Sequence, residues 1–305
     1  MARTAEQDSV RDLQRTLYRA AKADPRRRFH ALYDKVHRRD VLERGWELVR
    51  ANRGAAGIDR ETIADVEQYG VSRMLDELAA ALKGGSYRPL PARRVFIPKP
   101  GSSQRRPLSI PRVRDRVVQT ALKTVIEPIF EAEMLECSYG FRPRRSQHDA
   151  LQVLIDEAWD GRRWVAESDV SNCFGAIPHD GLMLAIEERI SDRHVLKLLR
   201  AMLRSGVMQD GAVAREVTGT PQGGVISPCL CNVYLHVCPE RKVRRCRRSF
   251  CDPCCASDGG RSSGFAVQAG SPNRRDVMSV KAGVGSDHGR LAVSGSGVRR
   301  EDEHG

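Results

Sequence analysis

Three short segments carry side chains that could do chemistry on a polyanion. The first, FIPKPGSSQRRPLSIP from Phe96 to Pro111, sets Lys99, Arg105 and Arg106 around a polar turn. A tight hairpin there would gather two or three cations about one anion, because arginine offers phosphate oxygens a planar fork and lysine a point charge. A solvated basic turn is the plainer alternative. The second, WVAESDVSNCFGAIPHDGL from Trp164 to Leu182, delivers one carboxylate, Asp169, with Phe174 five positions on. A carboxylate at the end of a buried strand is unfavourable unless it meets a cation or a strong donor. Mg²⁺ held by one or two carboxylates together with substrate phosphates is one solution; an aspartate capping a turn before the next helix is the other. The third, VTGTPQGGVISPCLCNVYLH from Val217 to His236, contains a GTPQGG turn. Its glycines, lacking Cβ, let the backbone and the Gln222 amide approach something flat or polar, although an ordinary loop has the same composition.

The elements that must position these residues follow from periodicity. Leu13, Leu17, Ala20 and Ala21 have helical spacing within Ser9 to Ala23, with Ser9 as an N-cap. A second amphipathic stretch runs through Leu32, Val36, Leu42, Trp46 and Val49. The Gly-rich turn RGAAGIDRET follows, and then a helix from Val71 to Leu82 that stops at Gly84-Gly85. Arg93 to Ile97 and Pro107 to Ile110 form the two arms of a hairpin. Val113 to Phe130 holds one apolar face for about four turns and is the strongest helix. Helices are also expected at Gln147–Trp159, His179–Ile190, Arg193–Leu203 and Val225–His236, and a strand at Arg163–Asp169.

Charge narrows the partner. The 305 residues hold 51 Lys plus Arg against 39 Asp plus Glu, a formal charge of +12, which favours a polyanion. No run of 18 apolar residues offers a membrane span, and the N-terminal MARTAEQDSVRDLQ has no apolar core of a secretory signal, so a cytoplasmic protein is expected. After His236 periodicity stops: the last 69 residues hold one Leu and no Ile, Trp or Tyr, but ten Gly and eleven Arg, a composition that cannot offset its ordering entropy. Of nine cysteines, five crowd between Cys238 and Cys255. Cys251-x₂-Cys254 would make half a zinc site, but no second pair follows at a matching spacing.

In this order the strings resemble one family, the reverse transcriptases and maturases encoded by group II introns. The resemblance covers roughly residues 30 to 236. It is carried by YDKVHRRDVLERGWELVRANRGAAGID, SYRPLPARRVFIPKP, RPLSIPRVRDRVVQTALKTVIEPIFE, SYGFRPRRSQHDAL and GTPQGGVISP. It implies an α+β right-hand polymerase: helical fingers or an RNA-binding extension over 1–88, fingers and a partial palm with an incomplete sheet over 89–236, and a disordered tail over 237–305. By resemblance Lys99 and Arg106 hold the incoming triphosphate. Asp169, with the carbonyl of Val170, binds metal, taken to be Mg²⁺. Phe174 excludes a ribose 2′-OH, and Gln222 lines the nucleotide pocket. RNA template or intron RNA, a DNA primer and a dNTP are the implied partners, with no membrane.

Two departures shape the expectation of activity. Family members follow the PQG segment with a Tyr-x-Asp-Asp hairpin, whereas this sequence has no Asp-Asp pair and no Tyr after Tyr234. Gly175 stands where the family commonly has an acidic residue that is not a principal metal ligand. A chain with Asp169 alone is expected to be inert as a polymerase. The alternatives are a non-catalytic, maturase-like RNA binder and a remnant without function. The tail is read as a product of a shifted frame, since the resemblance ends within one helix.

Overall fold

The computed structural model describes residues 5–98, 101, 103, 105–161, 172–214, 218–220, 223–248, 281–284 and 291–294, with the side chains of those between 8 and 237. The polypeptide divides into two units, residues 1–144 with 174–244, and residues 145–173 with 245–305.

The first unit opens with five helices: α1 (Ala5–Ala23), α2 (Tyr33–Val36), α3 (Arg39–Ala51), α4 (Ile63–Tyr69) and α5 (Val71–Lys83). Ser9 does not cap α1, which begins a turn earlier; its hydroxyl instead donates to Asp40 at 2.9 Å and accepts from Arg38. Tertiary partners outcompete the local cap because Asp40 is half-buried and needs donors. The amphipathic stretch read as one helix is two, broken at Arg38, whose backbone is extended (φ −61°, ψ 140°). Helix α4 was not expected, yet Thr62 and Asp65 form a reciprocal capping box, a signature present in the sequence.

β1 (Ala92–Pro98) and β2 (Arg105–Ile110) form the expected hairpin, in register from Arg93↔Ile110 to Pro98↔Arg105. Helix α6 (Val113–Glu131) is the centre of the unit, buried on nearly every side, with α1 and α3 packed on it. Its polar residues are satisfied locally or by neighbours. Thr120 and Thr124 donate to carbonyls one turn back at 2.7 and 2.8 Å, and Asp115 accepts from the Tyr87 hydroxyl and the Leu90 N–H. Pro128 lacks the N–H that would reach Thr124, and the Gln14 amide takes up that carbonyl at 3.4 Å.

In the second unit α7 (Gln147–Trp159) is capped by a Ser146–Asp149 box and buries none of its residues. The chain returns through α8 (Cys173–Ala176), α9 (His179–Glu187) and α10 (Arg193–Arg204). A hairpin missed in the sequence follows, β3 (Val207–Gln209) and β4 (Ala212–Ala214), joined by Asp210-Gly211, itself a strong hairpin signal. β3 pairs in parallel with β1, giving a mixed sheet of order β2-β1-β3-β4 and an α+β fold. The strand expected at Arg163–Asp169 lies outside the described residues.

Helix α11 runs from Ser227 to Arg248, beyond the His236 at which helical patterning stops. Two short antiparallel strands, β5 (Lys281–Val284) and β6 (Leu291–Ser294), are described further on. The other tail residues lie outside the described ones. No described helix is long and apolar enough to cross a membrane.

Candidate nucleotide and nucleic-acid site

Arg106 lies on β2 opposite Ile97, with its side chain in solvent. Among the described residues it has no ion pair or hydrogen bond, so its fork stays open to a ligand. Successive strand residues project to opposite faces, so Arg105 and Arg106 leave β2 on opposite sides. Lys99 lies outside the described residues, as do Asp169, Val170 and Gln222.

The described residues on either side of Pro221 and Gln222 in the chain show how the three segments meet. Thr220 N–H donates to the Phe174 carbonyl at 2.8 Å and Gly219 N–H to the Ile177 carbonyl at 2.7 Å, which ties the turn to α8. The His179 ring nitrogen Nε2 lies 2.7 Å from the Gly219 carbonyl. On the other side Val225 N–H donates to the Gln119 side chain at 2.9 Å. Two glycines permit this clamp. A Cβ at Gly219 (φ +90°) would lie 3.0 Å from the Gly175 carbonyl oxygen, and one at Gly223 (φ +105°) 2.6 Å from that of Ser109 on β2. Both φ values belong to backbone that side chains rarely adopt. The GTPQGG turn is thus pressed between the hairpin and the segment after Asp169, the two other motifs.

A fourth segment, SYGFRP, joins them. Arg142 is buried and fully engaged: it forks onto the Glu131 carboxylate at 2.7–3.2 Å and donates to the Leu135 and Ser138 carbonyls at 2.6 and 2.7 Å. From α11, Asn232 donates to the Gly140 carbonyl at 2.9 Å. Between these anchors Phe141 is held with φ +56° and 68% of its surface exposed. A bulky residue at positive φ carries strain, a feature concentrated at functional sites. Its ring meets that of half-buried Phe174 edge-on, centroids 6.4 Å apart. Phe174 was expected here from sequence. Phe141 and His179 were not, and Arg142, read from the sequence as one of a basic cluster (Arg142 to Arg145) that could grip phosphate, is instead buried on Glu131.

Cys229 is fully buried, and burial pushes its thiol up to about 12, so it packs as a small apolar group. A metal centre is not assembled by the described residues, among which no three His, Cys, Asp or Glu side chains come together.

The family of reverse transcriptases (RNA-dependent DNA polymerases) matches residues 97–251, and the chain belongs to it. That family works with divalent metal. Within it, the chain groups with the group II intron reverse transcriptases and maturases. It is 35% identical to the group II intron-encoded protein LtrA of Lactococcus lactis subsp. cremoris over 210 residues, 68% of this chain and 34% of that protein. To protein YkfC of Escherichia coli K12 it is 37% identical over 233 residues, 74% of this chain and 61% of the relative. The chain therefore spans about a third and about three fifths of these two relatives. Among solved structures, a chain of a Cas6-RT-Cas1–Cas2 complex covers 67% of this one at 19% identity and a TM-score of 0.47.

Proposed function

We propose that this chain grips RNA and a nucleoside triphosphate in the manner of a group II intron reverse transcriptase, and that its 305 residues alone do not join nucleotides. The clamped GTPQGG turn carries the first half of the reading, since it draws the Arg106 hairpin and the Phe174 segment to one place. In this reading Lys99 and Arg106 hold the triphosphate, Phe174 disfavours a 2′-OH, and Gln222 lines the pocket. Mg²⁺ at Asp169 and the Val170 carbonyl would supply charge stabilisation for attack by a primer 3′-OH.

The second half follows from magnitude. Loss of one preorganised electrostatic group lowers rate by about 10²–10³. This sequence has no Asp-Asp pair, so two of the family's three metal-binding carboxylates are missing and the effect compounds. Primer extension on an RNA template with Mg²⁺ is expected to give no labelled DNA; product would refute the inactive half.

RNA binding without catalysis remains in force. Of the basic clusters at Arg26 to Arg28, Arg38-Arg39, Arg93-Arg94 and Arg142 to Arg145, the first is exposed between α1 and α2, whereas Arg38 is held by Ser9 and Asp40, Arg39 by Glu43 and Asp76, Arg93 by the Ala56 carbonyl and Arg142 by Glu131. Phosphate contacts give affinity that falls with salt and is largely blind to sequence. Filter binding of structured RNA should show a negative salt slope; no slope or no retention argues against it. For the tail, translation of the other two frames beyond codon 236 is expected to reveal a Tyr-x-Asp-Asp string, and its absence from both would defeat the frame-shift reading.

A further inference from the structure

Helix α1 sets Arg11, Arg15 and Arg19 at intervals of four, one above another on a single helix face. That face borders an open cleft of about 950 Å³ flanked by α3 and α6. Arg44, Arg116 and Lys123 enter it from those two helices, and Arg144 stands at its edge. Its two carboxylates are already engaged, Glu127 by Lys123 at 3.4 Å and Glu131 by Arg142. Arg15 makes only an exposed pair with Asp12, of the kind that contributes little, and Arg44 pairs with half-buried Glu47 at 2.8 Å. Arg11, Arg19 and Arg144 have no ion pair or hydrogen bond among the described residues. The excess positive charge is therefore uncompensated inside the protein.

Arg116 is the telling member. The residue is 5% exposed and makes no ion pair with a carboxylate, although the charge of Asp59 acts on it from further off. One Nη donates to the Ala55 carbonyl at 2.6 Å, while Nε is buried with no acceptor. The RGAAG turn makes room for it: a Cβ on Gly54 would lie 2.3 Å from Nη1. A guanidinium cannot shed its charge, and here one backbone carbonyl and the more distant charge of Asp59 do not offset its burial, so the site favours an anion from outside. Tyr18, 39% exposed, offers a ring at the cavity wall, and Gln14 and Asn52 offer amides.

We propose that this cavity seats a stretch of single-stranded polynucleotide, with Arg116 as the buried phosphate anchor and Tyr18 as a stacking surface. The proposal rests on the nucleic-acid reading above and deepens it; neither Arg106 nor Phe174 lines the cavity. Its volume suits a small ligand or a few nucleotides (clefts of about 300–1,000 Å³) and is too small for a duplex. An acidic peptide would meet the arginines but leave the ring and the amides unused.

Anisotropy of a labelled ten-nucleotide single-stranded RNA on the full chain tests it. Arg116→Gln and Tyr18→Ala should each weaken binding by about tenfold. Arg11→Gln/Arg19→Gln, which touches no packed contact, should flatten the salt slope by about 1.4, while Arg73→Gln on α5 should change little. A duplex of equal length should bind at least tenfold more weakly. If Arg116→Gln unfolds the chain, the exposed double variant decides. Unchanged affinity and slope in that variant, equal binding of duplex, or equal competition by polyglutamate would overturn the proposal. Binding that resists these changes but is lost in Arg106→Gln overturns this cavity alone; absence of any RNA binding removes the broader reading as well.

Discussion

Gly223→Ala probes whether the GTPQGG turn is held against the hairpin as tightly as the geometry implies. The new Cβ would sit 2.6 Å from the Ser109 carbonyl oxygen and 2.8 Å from Leu108 Cδ1, where ordinary contacts begin near 3.4 Å. The leucine tip can rotate away. Ser109 cannot, because its backbone is paired to Arg94 in the β1–β2 ladder. The turn must move instead, by about the 0.8 Å difference between 3.4 and 2.6 Å. A side chain at φ +105° adds strain of about 1–3 kcal/mol, and overpacking costs about 1–3 kcal/mol. Together these come to about 4 kcal/mol, a large share of the about 5–15 kcal/mol that stabilises a domain. Gly211→Ala is the matched control, with φ +82° and nothing within 4 Å of its Cβ, so it feels the backbone strain alone. Urea unfolding followed by tryptophan fluorescence should place Gly223→Ala about 2 kcal/mol below Gly211→Ala. Equal stability of the two variants would mean that the turn does not press on β2, and the convergence of motifs argued above would fail.

Three further outcomes are expected. Arg142→Lys keeps a charge but loses the fork onto Glu131 and at least one of the two carbonyl contacts; urea unfolding should show a loss of about 3 kcal/mol, and a loss below about 0.5 kcal/mol would deny the lock on Phe141. Burial works against the charge of Asp192, yet the N–H groups of Leu32, Tyr33, Val195 and His194 hold its carboxyl below the usual range. Between its folded and unfolded pKa values the unfolded chain binds more protons, so its contribution is complete above about pH 4 and is lost as pH falls further. Asp192→Asn, which turns two donors toward facing N–H groups, should flatten that acid slope in a pH series of urea melts; an unchanged slope would count against it. Finally, α7 leaves Leu151, Leu154, Ile155 and Trp159 exposed, the last at 85%. Sedimentation should show self-association of the wild-type chain that Leu154→Glu/Trp159→Glu relieves, whereas a monodisperse wild-type monomer would contradict the expectation.

Local pattern made several elements legible. The 3.6-residue period located α5, α6, α7, α9 and α10 to within a few residues, and the turn between β-rich arms located the β1–β2 hairpin. Long strings, not single residues, carried the family, and the absence of an Asp-Asp pair is a fact of sequence alone. The elements missed, α4 and the β3–β4 hairpin, were short, and their capping box and Asp-Gly turn were signals left unread rather than missing. The helical continuation to Arg248 has no apolar period to announce it.

What the linear chain could not determine is which distant groups satisfy one another. Ser9 had the type and place of an N-cap, but an aspartate 31 positions away claimed its hydroxyl. Gln119 reads as one more polar residue of α6 until Val225, 106 positions on, is seen to donate to it. Arg116 reads as a surface charge, and only packing reveals it as buried beside Gly54 with no carboxylate in contact. Secondary structure follows from neighbours along the chain, because its hydrogen bonds close over a few residues. The setting of a polar side chain depends on which groups exclude water from it, and in this protein those groups come from far along the sequence.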